Sequence, residues 1–181
     1  YDRDAVACVS THDLPTLSGW WRSEDIAERE RLGHLSADQA RAAREARAHE
    51  LRALLAALRA EGLFAGEIDA DAPLSSAIMV AIHRFIGRSA SALVVAQIDD
   101  LAGMPTSVNL PGTDRERPNW RRKTRYSFEQ FCALPAVRRI LGTVDAARRK
   151  SEATRAGAAE EGHMVPGIAR RDEVQRPRHL D

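Results

Sequence analysis

Two short apolar segments in this chain are each followed by polar residues. Ala5–Val9 is rich in small and β-branched side chains and leads into Ser10-Thr-His-Asp13, and Ala92–Ile98 leads into Asp99-Asp100. Nearly continuous apolar runs of this length are typical of parallel strands that are buried on both faces. The sequence therefore predicts two such strands with polar loops at their carboxyl ends, where parallel α/β folds place their functional sites.

Helical patterns lie between and after these strands. Ser36 and Gln39 have the spacing of a capping box and predict a long helix over 37–61. Pro73 is expected in the first turn of a second amphipathic helix that ends near Gly87, and a further helical stretch over 128–150 is interrupted by Pro135. Residues 150–181 show no periodic apolar face, and we expect them to form a weakly ordered tail.

Strands separated by helices indicate an α/β fold with a parallel sheet. Two strands cannot close a barrel, and a complete eight-stranded barrel takes about 250 residues. We therefore expect the chain to be the closing part of a larger barrel, with extra helices. Residue 1 is Tyr1 with no Met before it, which also favours a piece of a longer protein.

Composition and charge narrow the class of protein. The chain has 181 residues, 44% of them hydrophobic and 29% charged, which fits a globular protein rather than a disordered one. With 27 basic and 26 acidic residues there is no overall basic field that would favour nucleic acid. The longest apolar runs are too short to span a bilayer. Two cysteines are too few for a disulfide framework, and we expect a reducing, cytoplasmic location.

The sequence gives little support for metal, nucleotide or nucleic-acid binding. The histidines lack the spacing of a zinc site, and no glycine-rich phosphate loop follows either strand, so neither a metal nor a nucleotide cofactor is predicted. The basic cluster around Trp120 imitates a nucleic-acid patch, but one cluster without a basic face does not predict nucleic-acid binding. His83 is expected to be a core histidine, Cys8 on a buried strand and Cys132 on an apolar helix are expected to be inert, and Trp20 and Trp21 are expected to be core anchors.

His12 and Asp13 place an imidazole beside a carboxylate at the end of the first strand. A carboxylate there can bind sugar hydroxyls or stabilise developing positive charge. An Asp after a His is also a common helix cap or turn, and the spacing alone leaves both interpretations open.

Further motifs accompany this pair in a fixed order. They are Ser10-Thr-His-Asp-Leu-Pro-Thr16, Gly19-Trp-Trp21, Asp99-Asp100, Ser107-Val-Asn-Leu-Pro-Gly-Thr113 and Arg117-Pro-Asn-Trp-Arg-Arg-Lys123. With these motifs the chain resembles the C-terminal part of bacterial 4-α-glucanotransferases, or amylomaltases, of glycoside hydrolase family 77. The resemblance covers roughly residues 5 to 145. Arg117 departs from the family, in which a Tyr commonly precedes Pro-Asn-Trp, and this puts a contact at the rim of the site in doubt.

The resemblance implies the C-terminal part of a TIM (β/α)₈ barrel over residues 1–149, followed by the tail. It implies transfer of α-1,4-glucan segments between maltodextrins, or glucans derived from starch or glycogen, with retention through a glucosyl-enzyme intermediate and no cofactor. Asp13 would be the carboxylate that stabilises the transition state, and His12 and Asn109 would contact the sugar. The nucleophilic Asp and the acid/base Glu are expected upstream of Tyr1, so the chain alone is expected to be inactive.

Two alternatives remain open at this point. The chain could be a non-catalytic glucan-binding or interaction module that buries its own core. It could instead belong to a retaining α-glucan hydrolase of the same clan, in which water rather than a sugar hydroxyl accepts the glucosyl group.

Overall fold

The computed structural model describes residues 3–66 and 72–161. Within them, β1 (Val6–Cys8) and β2 (Leu93–Val95) form a two-stranded parallel sheet, with Val6 opposite Leu93 and Cys8 opposite Val95. The predicted parallel pair is confirmed. The prediction that both faces are buried is wrong for the described part of the chain, because Val6, Leu93 and Val95 are exposed while Ala7 is buried.

Seven helices are assigned to the described residues. They are α1 (Leu17–Trp21), α2 (Glu24–Arg31), α3 (Ala37–Ala60), α4 (Ser76–Gly87), α5 (Ile98–Leu101), α6 (Phe128–Ala133) and α7 (Pro135–Glu161). The capping box predicted for α3 is present, with reciprocal hydrogen bonds between Ser36 and Gln39.

Three boundaries differ from the sequence predictions. Helix α4 starts after Pro73, because the hydroxyl of Ser75 accepts from the Ile78 amide and caps it. The segment predicted to be strand up to Ile98 leaves the sheet after Val95, and the acidic pair that follows lies in the short helix α5 rather than in a loop.

The third difference concerns the C-terminal residues. Pro135 ends one helix and opens the next, as the sequence predicts, since proline is well tolerated in the first turn. Helix α7 continues through 151–161, beyond the end near residue 150 that the sequence predicts for this helical stretch, and the weakly ordered tail stays a prediction. The remainder of that segment, 162–181, lies outside the described residues.

The apolar core lies between α1, α3, α4 and α7. Its buried members from α3 and α4 are Leu51, Leu55, Leu58, Ile78, Met79, Ala81 and Ile82, joined by Leu17 and Trp21 from α1, Leu101 from α5, and Val137 and Ile140 from α7. Trp20 packs against this cluster, so both tryptophans contribute to the core as predicted. No helix of the described residues is long and apolar enough to cross a bilayer.

The predicted core histidine is found, and the two cysteines differ in exposure. His83 is fully buried on α4, where its Nδ1 donates to the Met79 carbonyl at 2.8 Å. Burial lowers the pKa of His83, because removal of water disfavours the charged imidazolium. Cys132 is exposed and Cys8 is half-buried, and both are free thiols.

Candidate functional site at the carboxyl ends of the strands

Asp100, fully buried on α5, joins the segments that carry the candidate site. Its carboxyl group contacts the hydroxyl of Ser10, which follows β1, and accepts from the Leu17 amide at the start of α1 at 2.6 Å. Burial raises the pKa of Asp100, because the charged carboxylate loses its hydration. The loop after β1 is therefore fixed to the segment after β2 by a group that water does not reach.

Thr16 makes the second link between the two strand-end segments. Its hydroxyl donates to the Met104 carbonyl at 2.6 Å and accepts from the Gly19 amide at 3.1 Å. Thr16 is thus the N-cap of α1. Asp13 therefore does not cap this helix; it lies in a turn that is closed by a bond from the Leu14 amide to the Thr11 carbonyl at 3.1 Å, and its side chain is half exposed.

Gly19 allows these segments to approach each other. A Cβ built at Gly19 would overlap the carbonyl oxygen of Pro105 and would lie 3.1 Å from Thr16 Oγ1. A backbone oxygen cannot move aside as the end of a flexible side chain can. Glycine is therefore required sterically between α1 and the loop that begins at Gly103.

The loop over 107–119 is held by two polar side chains. Asn119 uses both ends of its amide: Oδ1 accepts from the Leu110 amide at 3.1 Å, and Nδ2 donates to Thr113 Oγ1 at 2.8 Å and to its carbonyl at 3.1 Å. The guanidinium of Arg117 donates to the Ser107 carbonyl at 2.6 Å and pairs with Glu28 of α2 at 3.0 Å. These bonds fix the backbone on both sides of Asn109.

The candidate residues Asp13, His12 and Asn109 meet in this setting. Asn109 Nδ2 donates to Asp13 Oδ1 at 2.6 Å, although the two residues are 96 positions apart. On the other side, Asp13 Oδ2 lies 3.3 Å from His12 Nε2. The side chains of His12 and Asp13 remain 56% and 50% exposed, so a ligand in solvent can reach them.

Trp120 completes the cluster, and the sequence reasoning left it out of the site. Its ring centroid lies 5.2 Å from that of His12 at an interplanar angle of 52°, and the residue is 61% exposed. Its φ of 60° is in the left-handed region, an outlier for a bulky residue that is held here by a bond from its amide to the Val108 carbonyl at 3.0 Å. Strained backbone of this kind is often found at functional sites. The Asn-Trp step of the motif was the available signal.

The side chains of this cluster are of the kinds that bind a sugar. The carboxylate accepts hydrogen bonds from hydroxyl groups, the amide donates and accepts, and the imidazole does either according to its tautomer. An exposed indole supplies a flat apolar surface beside these polar groups. Within the described residues, the carboxylate of Asp13 contacts the imidazole of His12 and the amide of Asn109. In the described residues, no group of three His, Cys, Asp or Glu side chains is arranged to hold a metal.

Comparison with known proteins gives a consistent picture. The family model for 4-alpha-glucanotransferase, glycoside hydrolase family 77, matches residues 1–128. The 4-alpha-glucanotransferase of Haemophilus influenzae is 32% identical over 127 residues, which are 68% of this chain and 18% of the relative. That of Mycobacterium tuberculosis is 36% identical over 116 residues, 64% of this chain and 16% of the relative. The crystal structure of amylomaltase from Corynebacterium glutamicum matches with a TM-score of 0.69 and 29% identity, covering 80% of this chain and 22% of that one. The chain thus spans about a fifth of the length of the proteins it matches.

Proposed function

Since the chain belongs to the 4-alpha-glucanotransferase family of glycoside hydrolases, we propose that it carries the sugar-binding part of an α-1,4-glucan transfer site. The observation that carries the proposal is the contact of Asn109 with Asp13, because it joins two family motifs from opposite ends of the matched region. The substrates are maltodextrins and related α-1,4-glucans.

Asp13 has the central role in this proposal. It accepts hydrogen bonds from hydroxyl groups of the sugar next to the cleaved bond, and its negative charge stabilises the oxocarbenium-like transition state. Asn109 holds the carboxylate by its 2.6 Å bond, and His12 binds the same sugar. Trp120 stacks against the apolar face of a neighbouring sugar.

The two strands also have a place in this proposal. We propose that β1 and β2 are neighbouring strands near the C-terminal end of a (β/α)₈ barrel, so that the cluster lies at the barrel face where such enzymes place their sites. Their exposed apolar side chains, Val6, Leu93 and Val95, would then face further parts of the barrel.

Retaining transfer also requires a nucleophile and an acid/base, two carboxyl groups about 5–5.5 Å apart. The described cluster contains one carboxylate, that of Asp13. We therefore expect the 181-residue chain alone to bind maltodextrins without redistributing them. Formation of longer maltodextrins from maltotriose by the chain alone would contradict this.

The test of the role of Asp13 uses the complete product of the gene that encodes these residues. Asp13→Asn removes the charge and keeps the shape, and we expect the rate of maltotriose disproportionation to fall about 10²–10³-fold or more, since one charge-assisted contact specific to the transition state is lost. Asp38→Asn is the matched control, because Asp38 is an exposed carboxylate on α3. Its rate should be unchanged.

Product analysis separates transfer from hydrolysis. A transferase yields maltodextrins longer than the donor, whereas a hydrolase yields shorter sugars only. If the product of Asp13→Asn disproportionates maltotriose as fast as the Asp38→Asn control, the assignment of Asp13 is wrong.

A glucan-binding module is the second candidate, and the apolar core favours it. The core of α1, α3, α4 and α7 is built from the chain's own residues, so the chain can bury a core of its own. Cooperative unfolding of a monomeric 181-residue chain, together with maltodextrin binding that requires Trp120, would favour this function.

A further inference from the structure

A basic groove lies between α4 and α7, away from the sugar site. Its volume is about 1020 Å³, and five of the residues that line it carry positive charge: Arg84 and Arg88 on or just after α4, and Arg138, Arg139 and Lys150 on α7. No acidic residue lines it. On a chain with a formal net charge of +1, this is a strong local separation of charge.

Ion pairs elsewhere on α7 leave the groove positive. The acidic residues Asp145 and Glu152 pair with Arg149 at 3.0 Å and with Arg148 at 3.8 Å, and neither of these arginines lines the groove. Among the described side chains, those of residues 3–66 and 72–153, Arg84 and Arg139 have no hydrogen-bond or ion-pair partner for their guanidinium groups.

Small residues form the floor between the charged walls. Gly87 and Ala147 meet where α4 and α7 touch, and a Cβ at Gly87 would lie 3.2 Å from that of Ala147. Gly142 and Ala146 also line the groove, so the space between the arginines is not filled by long side chains. Arginines that face each other without an acid between them repel, and an anion would relieve that repulsion.

The charge and the size of the groove indicate the ligand class. From Arg138 to Lys150 the helix rises about 18 Å, so the cations are spread further than one phosphate group can reach. A volume near 1000 Å³ is at the upper end for small-molecule sites. None of the lining residues is aromatic, and the groove therefore lacks a surface on which a nucleobase could stack.

We propose that this groove binds a compact anion with several phosphate groups. Guanidinium groups match phosphate oxygens in a bidentate manner, and most of the cations here are arginines. Arg88 pairs with Glu61 at 3.7 Å, so at about −1.5 to −2 charges each, roughly two or more phosphate groups balance Arg84, Arg138 and Arg139. The family match ends at residue 128, so α7 and its three cations lie outside the matched region.

Inorganic tripolyphosphate is the probe, titrated calorimetrically into the 181-residue chain and into the complete gene product at fixed ionic strength. We expect saturable binding that Arg84→Gln and Arg139→Gln each weaken about tenfold, the effect of losing one charge-assisted contact. Arg139→Lys keeps the charge but loses the bidentate fork, and it should weaken binding less than Arg139→Gln does. Arg41→Gln is the matched control, because Arg41 is 70% exposed on α3 and its removal changes the net charge equally.

Three results would overturn the proposal. They are the absence of saturable binding, an equal loss of affinity in Arg41→Gln, and binding of a glutamate oligomer of the same charge as tightly as tripolyphosphate. The last result would assign the groove to acidic polypeptides. The groove variants should keep the maltotriose disproportionation of the parent, which separates this proposal from that of the sugar site.

Discussion

Replacement of Arg117 by Leu is expected to release the loop that carries Asn109. The guanidinium is buried, and in the native structure it pairs with Glu28 at 3.0 Å and donates to the Ser107 carbonyl at 2.6 Å and to Asn119 Oδ1. Leucine fills a similar volume but satisfies none of these acceptors. The cost therefore arises from the buried oxygen atoms that lose their donor.

The size of the destabilisation follows from the burial of the charges on Arg117 and Glu28. Removal of one partner from a fully buried ion pair costs about 3–5 kcal/mol, because the other charge is left uncompensated. Glu28 keeps some water at 16% exposure, and Arg31 lies 3.7 Å away as a weaker partner. We therefore expect the lower end, about 3 kcal/mol, for Arg117→Leu. Arg117→Lys keeps the charge but loses the planar fork, and about 1.5 kcal/mol is expected.

Hydrogen exchange measures this effect where it occurs. The amides of Leu110 and Trp120 are bonded to Asn119 Oδ1 and to the Val108 carbonyl, so their protection reports on opening of the loop. A loss of about 3 kcal/mol corresponds to a fall in protection of roughly 150-fold. Amides in the middle of α3 serve as the internal control, since they have no contact with the loop.

A double-mutant cycle of Arg117→Leu with Glu28→Gln measures the energy of the Arg117–Glu28 ion pair separately from the other hydrogen bonds of Arg117. Residues in direct contact should show a coupling energy of about 0.5–3 kcal/mol. If Arg117→Leu lowers protection of the two loop amides by less than about fivefold, or if the two substitutions are additive within about 0.3 kcal/mol, the reasoning is refuted.

Two further predictions concern steric fit and pH. Gly19→Ala should displace the Pro105 segment and destabilise the chain by about 1–3 kcal/mol in urea unfolding, while Gly142→Ala, at a glycine of α7 with open space around it, should not destabilise it. The pKa of His83 is lowered by burial, so its contribution to stability is complete above the unfolded pKa of about 6.5 and is lost progressively as the pH falls from there to the lower pKa of the folded state. Urea unfolding at pH 7.5 and 5.5 should show a drop that is smaller in His83→Leu by up to about 1 kcal/mol, and an equal drop in both proteins would contradict the assignment. The pKa of Asp100 is raised, which acts in the opposite direction, so the difference between the two proteins is the quantity to compare.

Local patterns predicted α3, α4 and the segment of α6 and α7, whereas α1, α2 and α5 were not predicted. The capping box at Ser36 and the break at Pro135 are decided by neighbouring residues, and both are found. The predicted start of α4 was too early. Ser75, two residues after Pro73, caps the helix with its hydroxyl, and this hydrogen bond fixes the helix start more strongly than the favourable φ of Pro73 does. The strands were overextended because an apolar run does not show where its sheet partner ends.

Only those site residues that lie in a recognisable sequence motif could be predicted. His12, Asp13 and Asn109 were found from their motifs, and the structure brings them together. Trp120 belongs to the same motif block, but its left-handed backbone, which decides its position, depends on a distant carbonyl and leaves no local signal. Arg117 was noted as a departure from the family pattern, and its link to Glu28 could not be seen along the sequence.

The exposed site depends on polar groups that solvent does not reach. Asp100 ties the loop after β1 to α1 and α5, and Arg117 ties the loop of Asn109 to α2. Buried polar groups are costly when unpaired, so each of these links fixes one arrangement far more strongly than a surface hydrogen bond would. A surface bond such as that between Asn109 and Asp13 competes with water and cannot hold two loops in place alone. Loss of Arg117 should therefore weaken sugar binding as much as loss of Asn109, although Arg117 touches none of the residues proposed to contact the sugar.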